Sequence, residues 1–270
     1  MKNLFFLFFL VSSAIAQTKK DITLEDIFKK GSFYAQGIDG FHSMKDGKTY
    51  VSIETDEKTK LKYVAKRNYS DGKVASILFK ESDLKFKGNI LPISTDFNTD
   101  ESKVLIAKDE EPIYRHSTKA NYFVYDLKSK QIKEVSANGK QSFAAFSPDG
   151  NKIGFVRDNN LFIKDLSSGA EKQITHDGKF NNIINGGTDW VYEEEFSFTR
   201  AFFWSPDSKK IVYYKFDESQ VPEFSMTLFE KLYPSDYKIK YPKAGEKNSD
   251  VSIHIYNLAD NATLNVNIGP

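Results

Sequence analysis

The chain has 270 residues, no cysteine, and 38 basic against 37 acidic side chains, for a formal net charge of +1. Near-neutrality with the two signs interspersed excludes the electrostatic footprint of a nucleic-acid or anionic-membrane binder. The lack of thiols excludes a disulfide scaffold, a thiolate zinc site and a lipid-anchored N-terminal cysteine, so core burial must hold the fold.

Residues 1–16 combine an early Lys2, an apolar run from Leu4 to Val11 and Ala14-Ile15-Ala16 before Gln17, the pattern of a secretory signal peptide. The run is too short to span a membrane, and no other stretch is long enough. The competing reading is a buried apolar N-terminal helix. Export without disulfides points to a bacterial periplasm or outer surface, or to secretion. Residues 17–35 form a separate short segment. Within it Asp21 to Phe28 carries Ile22, Leu24, Ile27 and Phe28 at helical spacing, with Thr23 as the candidate N-cap.

From residue 36 the pattern changes to short alternating runs rich in Phe (23) and Tyr (14), broken by Asp-Gly, Asn-Gly and Ser-Pro-Asp turns. Runs such as Lys152 to Arg157, Asn160 to Asp165 and Lys210 to Lys215 read as strands, which makes the chain all-β. A turn centred on Asp46 returns at Asp100, Asp149 and Asp207, each time followed by an apolar strand. A period of that length predicts four-stranded blades of a β-propeller. A sandwich with long hairpins is the alternative. About four blades fit between Phe41 and Pro270, so the expectation is the N-terminal part, 36–270, of a larger and incomplete propeller.

The chemistry concentrates in two places. Tyr114-Arg115-His116-Ser117 precedes the strand-like run from Asn121 to Leu127, and Asp189-Trp190-Val191-Tyr192-Glu193-Glu194-Glu195 sets three adjacent carboxyl groups behind an aromatic anchor. On a strand neighbouring glutamates point to opposite faces, whereas on a helical turn two can converge on one cation. The triplet therefore reads either as a receptor for an ammonium group or as a solvated acidic turn. Trp190 and Tyr192 read as anchors of that turn in preference to stacking platforms, and Trp204 as blade core. The four histidines, His42, His116, His176 and His254, have no metal-ligand spacing, and no cofactor or metal is expected.

The run from Asp189 continues through Phe202-Phe203-Trp204-Ser205-Pro206-Asp207, Phe216 to Pro222, and Tyr241-Pro242-Lys243-Ala244-Gly245. With the Tyr114 to Leu127 segment, these pieces closely resemble the N-terminal propeller domain of the dipeptidyl peptidase IV family of serine peptidases. The resemblance runs from about Asp21 to the end of the chain. It implies that Glu194 and Glu195 bind the free α-ammonium of a peptide substrate, that Arg115 holds the carbonyl of the N-terminal dipeptide, and that Glu193 is only a neighbour. It further implies an exported exopeptidase that releases X-Pro, and less efficiently X-Ala, dipeptides, with peptides bearing a free N-terminus as its partners. No Gly-x-Ser-x-Gly elbow occurs here, so no catalytic residue is assigned and the α/β-hydrolase domain is expected to lie outside this chain. A non-catalytic propeller that binds peptides or a protein partner, and an inactive homologue, are the competing readings. Whether the full-length enzyme is a homodimer is left open by these residues.

Overall fold

A computed structural model describes residues 21–35 and 37–269, in two compact units that divide after Gly37. The leader expected over 1–16 lies outside the described residues.

In the first unit a helix, α1, spans Leu24–Phe28, and the N-cap is Thr23 as its position predicts. The cap is reciprocal: Thr23 Oγ1 accepts from Asp26 N–H at 3.1 Å, and Asp26 Oδ2 accepts from Thr23 N–H at 3.2 Å. Two of the donors that a helix start leaves open are thereby satisfied. Ile22, Leu24 and Phe28 remain exposed.

The second unit is built from four antiparallel meanders. The first comprises His42–Ser43, Thr49–Thr55, Lys62–Asn68 and Val74–Lys80; the second, Asp96–Phe97, Lys103–Pro112, Thr118–Asp126 and Ile132–Glu134. The third comprises Gln141–Phe146, Lys152–Arg157, Asn160–Asp165 and Glu171–Gln173. The fourth is built on Lys210–Asp217, Asp250–Asn257 and Thr263–Val266, with two short strands, Ile183–Asn185 and Phe202–Trp204, sharing its inner edge. These are propeller blades, and among the described strands none of the fourth blade pairs with the first. One departure from separate blades occurs: Gln141 and Ser142 pair with Ala120 and Lys119, which fuses the second and third into one eight-stranded sheet.

The aspartate repeat is the hairpin joining the first two strands of every blade. Each turn closes with the same two backbone bonds, Met44 to Thr49 and Gly47 to Met44 in the first blade, and likewise at Asn98, Ser147 and Ser205 in the others. Each aspartate accepts from the backbone N–H two residues on, at Lys48, Ser102, Asn151 and Lys209. The residue after the aspartate is left-handed in all four: Gly47 at φ 65°, Glu101 at 60°, Gly150 at 67° and Ser208 at 59°. A type I turn followed by a left-handed residue matches the twist of the hairpin. Glycine takes that position twice, and the two side chains that take it otherwise reach the preceding blade. Glu101 Oε1 accepts from Lys45 N–H at 2.6 Å, and Ser208 Oγ from Asp149 N–H at 3.0 Å. At Gly150 a Cβ would stand 2.5 Å from Asn98 Nδ2, so there the preceding blade fills the space.

The core lies between the blades. Val104 and Ile106 face the first blade's Val51, Val64 and Phe79, while Leu105 and Val124, on the opposite face, meet Ile153, Phe155 and Phe162 of the third. Val156, Leu161 and Ile163 then meet Phe202, Ile211 and Tyr213 of the fourth. A strand apolar on both faces is what a sheet covered on both sides requires.

Candidate functional site

The triplet sits where the fourth blade's inner edge is interrupted. Ile183–Asn185 pairs with the far half of Lys210–Asp217, and Phe202–Trp204 with the near half. Between them Gly186 N–H donates to Tyr214 C=O, and Tyr214 N–H donates to Ala201 C=O, so one residue spans both ends of the excursion. Gly186 is left-handed at φ 78°, and a Cβ there would stand 3.2 Å from Val156 Cγ2 and 3.4 Å from Leu161 and Phe202. Gly186→Ala is therefore expected to cost about 2 kcal/mol, from backbone strain and overpacking together. A shift in the urea midpoint checks it.

The excursion carries α2, Trp190–Phe196, capped by Asp189, whose side chain accepts from Tyr192 N–H at 2.9 Å and from Ser249 Oγ at 2.6 Å. Aromatic packing fixes its roll: Tyr192 stands edge-on to Phe216 at 4.8 Å and to Phe198 at 5.7 Å, and Trp190 lies 4.6 Å from Tyr241. Both aromatic residues are thus anchors. Ser197, left-handed at φ 57°, ends the helix.

With the roll fixed, the three carboxyl groups separate. Glu193 is buried at 1% exposure, Glu194 has 13% of its side chain exposed, and Glu195 is open to solvent. Arg115 Nε lies 3.4 Å from Glu194 Oε1. The second blade delivers that guanidinium on a tight loop, in which Ile113 N–H donates to Ser117 C=O and Tyr114 N–H to Ser117 Oγ. Two of the three predicted site residues are therefore brought into contact, and the third is the next residue on the same helix. Glu193 is more than a neighbour: its Oε1 accepts from His116 N–H at 2.7 Å and from Ser117 N–H at 3.1 Å. A buried glutamate joining two distant segments leaves no periodic mark, which is why spacing alone overlooked it. His42 packs on Phe97, and His254 lies flat against Tyr213 with Nε2 2.9 Å from Ser252 Oγ.

A cleft of about 410 Å³ is lined in part by Tyr114, Ser117, Phe143, Gly187, Glu218 and Tyr237, and so adjoins the Arg115–Glu194 pair without including it. Burial, reinforced by Glu218, holds the Tyr114 hydroxyl above the ordinary phenol range. Glu218 is itself buried, and burial first, then the nearby Asp189, pushes its carboxyl up to about 7, partly opposed by Lys240. A carboxyl raised in the folded state binds its proton more tightly there than in the unfolded chain. Its contribution is therefore most favourable below its ordinary value of 4.5 and is lost as pH rises to about 7. Glu218→Gln is expected to stabilise the protein above pH 7 by up to about 3 kcal/mol and to change little in acid. Thermal melts of both proteins across that range check it. Among the described residues no group of three or more His, Asp or Glu could hold a metal ion, and no helix is long and apolar enough to cross a membrane.

Blades with a charged helix set into one inner edge define the class: a β-propeller with an acidic helix inserted in one blade. The family described as the dipeptidyl peptidase IV (DPP IV) N-terminal region matches residues 98–270. Similar proteins include the probable dipeptidyl-aminopeptidase B of Emericella nidulans, 33% identical over 92% of this chain and 29% of that protein. Dipeptidyl aminopeptidase B of Saccharomyces cerevisiae is 32% identical over 81% of this chain and 26% of its own length. The crystal structure of Porphyromonas gingivalis dipeptidyl peptidase 4 superposes with a TM-score of 0.83 at 40% identity, covering 93% of this chain and 36% of that one. The chain belongs to the dipeptidyl peptidase IV family, in its N-terminal propeller region, and spans under a third of the length of these curated relatives.

Proposed function

We propose that this chain is the substrate-gating propeller part of an exported serine exopeptidase that releases N-terminal X-Pro or X-Ala dipeptides. In this reading the α-ammonium of the peptide binds Glu194 and Glu195, and Arg115 holds the carbonyl of the N-terminal dipeptide. The observation that carries it is the Arg115 guanidinium seated 3.4 Å from Glu194, on a helix whose next residue, Glu195, is exposed. An α-amino group is largely protonated at neutral pH, so paired carboxylates would fix where a peptide begins and a nucleophile would cut a set distance away. Internal segments have no such group to offer, which restricts the reaction to chain ends. Export through residues 1–16 belongs to the same reading.

The test is an assay of the full reading frame's product on a Gly-Pro anilide with a free amine and on its N-acetylated twin. Cleavage of the first alone supports the reading. Cleavage of both, or of neither, overturns it.

A further inference from the structure

Glu193 is the most deeply buried of the three glutamates, yet the ammonium-binding reading gives it no task. Its Oε1 takes two backbone N–H groups from a segment 77 residues earlier, those of His116 and Ser117, the two residues directly after Arg115. Its Oε2 is buried, with no hydrogen-bond partner among the described residues. A carboxyl that gives up solvent for two main-chain donors fixes those donors tightly, because any displacement would leave a buried acceptor and two amides unpaired. The Arg115 side chain itself is 72% exposed and meets Glu194 through one nitrogen, too little to hold its own loop in place. The loop's internal bonds, Ile113 N–H to Ser117 C=O and Tyr114 N–H to Ser117 Oγ, shape it but do not tie it to α2.

We propose that Glu193 is a positioning residue, a latch through which α2 holds the 113–117 loop so that Arg115 stands against Glu194 before a substrate arrives. Its role for substrate rests on the peptide-amine reading above; the latch itself does not. One helix would then supply both halves of the site: Glu194 and Glu195 directly, and Arg115 by way of Glu193. A change at position 193 should act on the arginine's placement and leave the chemistry of bond cleavage alone.

The test uses the full-length protein as wild type, Glu193→Ala, Glu193→Gln, Arg115→Ala and the double variant. Amide exchange at His116 and Ser117 reads the latch directly, with no need of activity. We expect slow exchange in the wild type, at least tenfold faster exchange in Glu193→Ala, and recovery of most of the protection in Glu193→Gln, whose amide oxygen still accepts. On the free-amine Gly-Pro anilide we expect KM to rise at least tenfold in Glu193→Ala with kcat within about threefold. Adding Glu193→Ala to Arg115→Ala should raise KM no further, because the first acts through the second. A purely structural glutamate would instead lower the melting temperature and the active fraction, and add its effect to that of Arg115→Ala. Unprotected amides at 116 and 117 in the wild type, equal exchange in Glu193→Ala, or additive effects on KM overturn the proposal. A full-length wild type that cleaves no dipeptide substrate defeats the functional reading, and amide exchange alone then decides the latch.

Discussion

Glu194→Ala and Glu195→Ala, each made in the full-length enzyme, are expected to lower kcat/KM on X-Pro substrates by two orders of magnitude or more while leaving the fold intact. On the proposed reading each removes a charge-assisted partner of the substrate ammonium, and hydrogen bonds to charged groups are worth about 1.5–3 kcal/mol, or roughly 10- to 150-fold each. Leaving the remaining ammonium contacts imperfectly paired adds to that loss. Stability should barely move. Among the described residues the only ion pair Glu194 makes is with an arginine that is 72% exposed, and pairs of that kind contribute about 0–1 kcal/mol. Steady-state kinetics beside thermal melts separates the two effects. Unchanged activity in both variants sinks the assignment of these residues, and a melting temperature lowered as much as the activity would show them to be structural.

The largest loss of stability is expected at a blade interface instead. Phe202 is fully buried, with its ring set against the backbone of Gly154 in the third blade, where a Cβ would stand only 2.8 Å from Phe202 Cε2. Trp204 Nε1 lies 3.4 Å from Ala145 C=O beside it. Phe202→Ala should cost about 3–5 kcal/mol, since neighbouring strands held by their own ladders cannot close on the space left behind. Equilibrium urea denaturation measures it, and a cost under about 1 kcal/mol would mean that the interface relaxes. Phe202–Trp204 also closes the excursion that carries α2, so this variant should weaken ligand binding along with stability.

The relation between sequence and structure differs from one part of the protein to another. The Asp46, Asp100, Asp149 and Asp207 repeat was legible because each turn is decided within about six residues, by an aspartate accepting from the backbone two places on and a left-handed residue after it. The Thr23 cap and the hairpin pairing of Lys152–Arg157 with Asn160–Asp165 are local in the same sense. The candidate site was legible only in part. Arg115 and the glutamates could be picked out by their resemblance to a known family, but nothing in composition or spacing says that they meet.

The all-β character, the blade period and the hairpin turns follow from interactions between near neighbours in the chain, and so could be read from it directly. The fusion of the second and third blades through Gln141 and Ser142, the seating of α2 in a gap spanned by Tyr214, and the division of the triplet into a buried Glu193, a largely covered Glu194 and an exposed Glu195 come from packing between distant segments. Those outcomes depend on which faces the blades cover and on hydrogen bonds between segments as far as 77 residues apart, and pairings of that range leave no period in the chain to read.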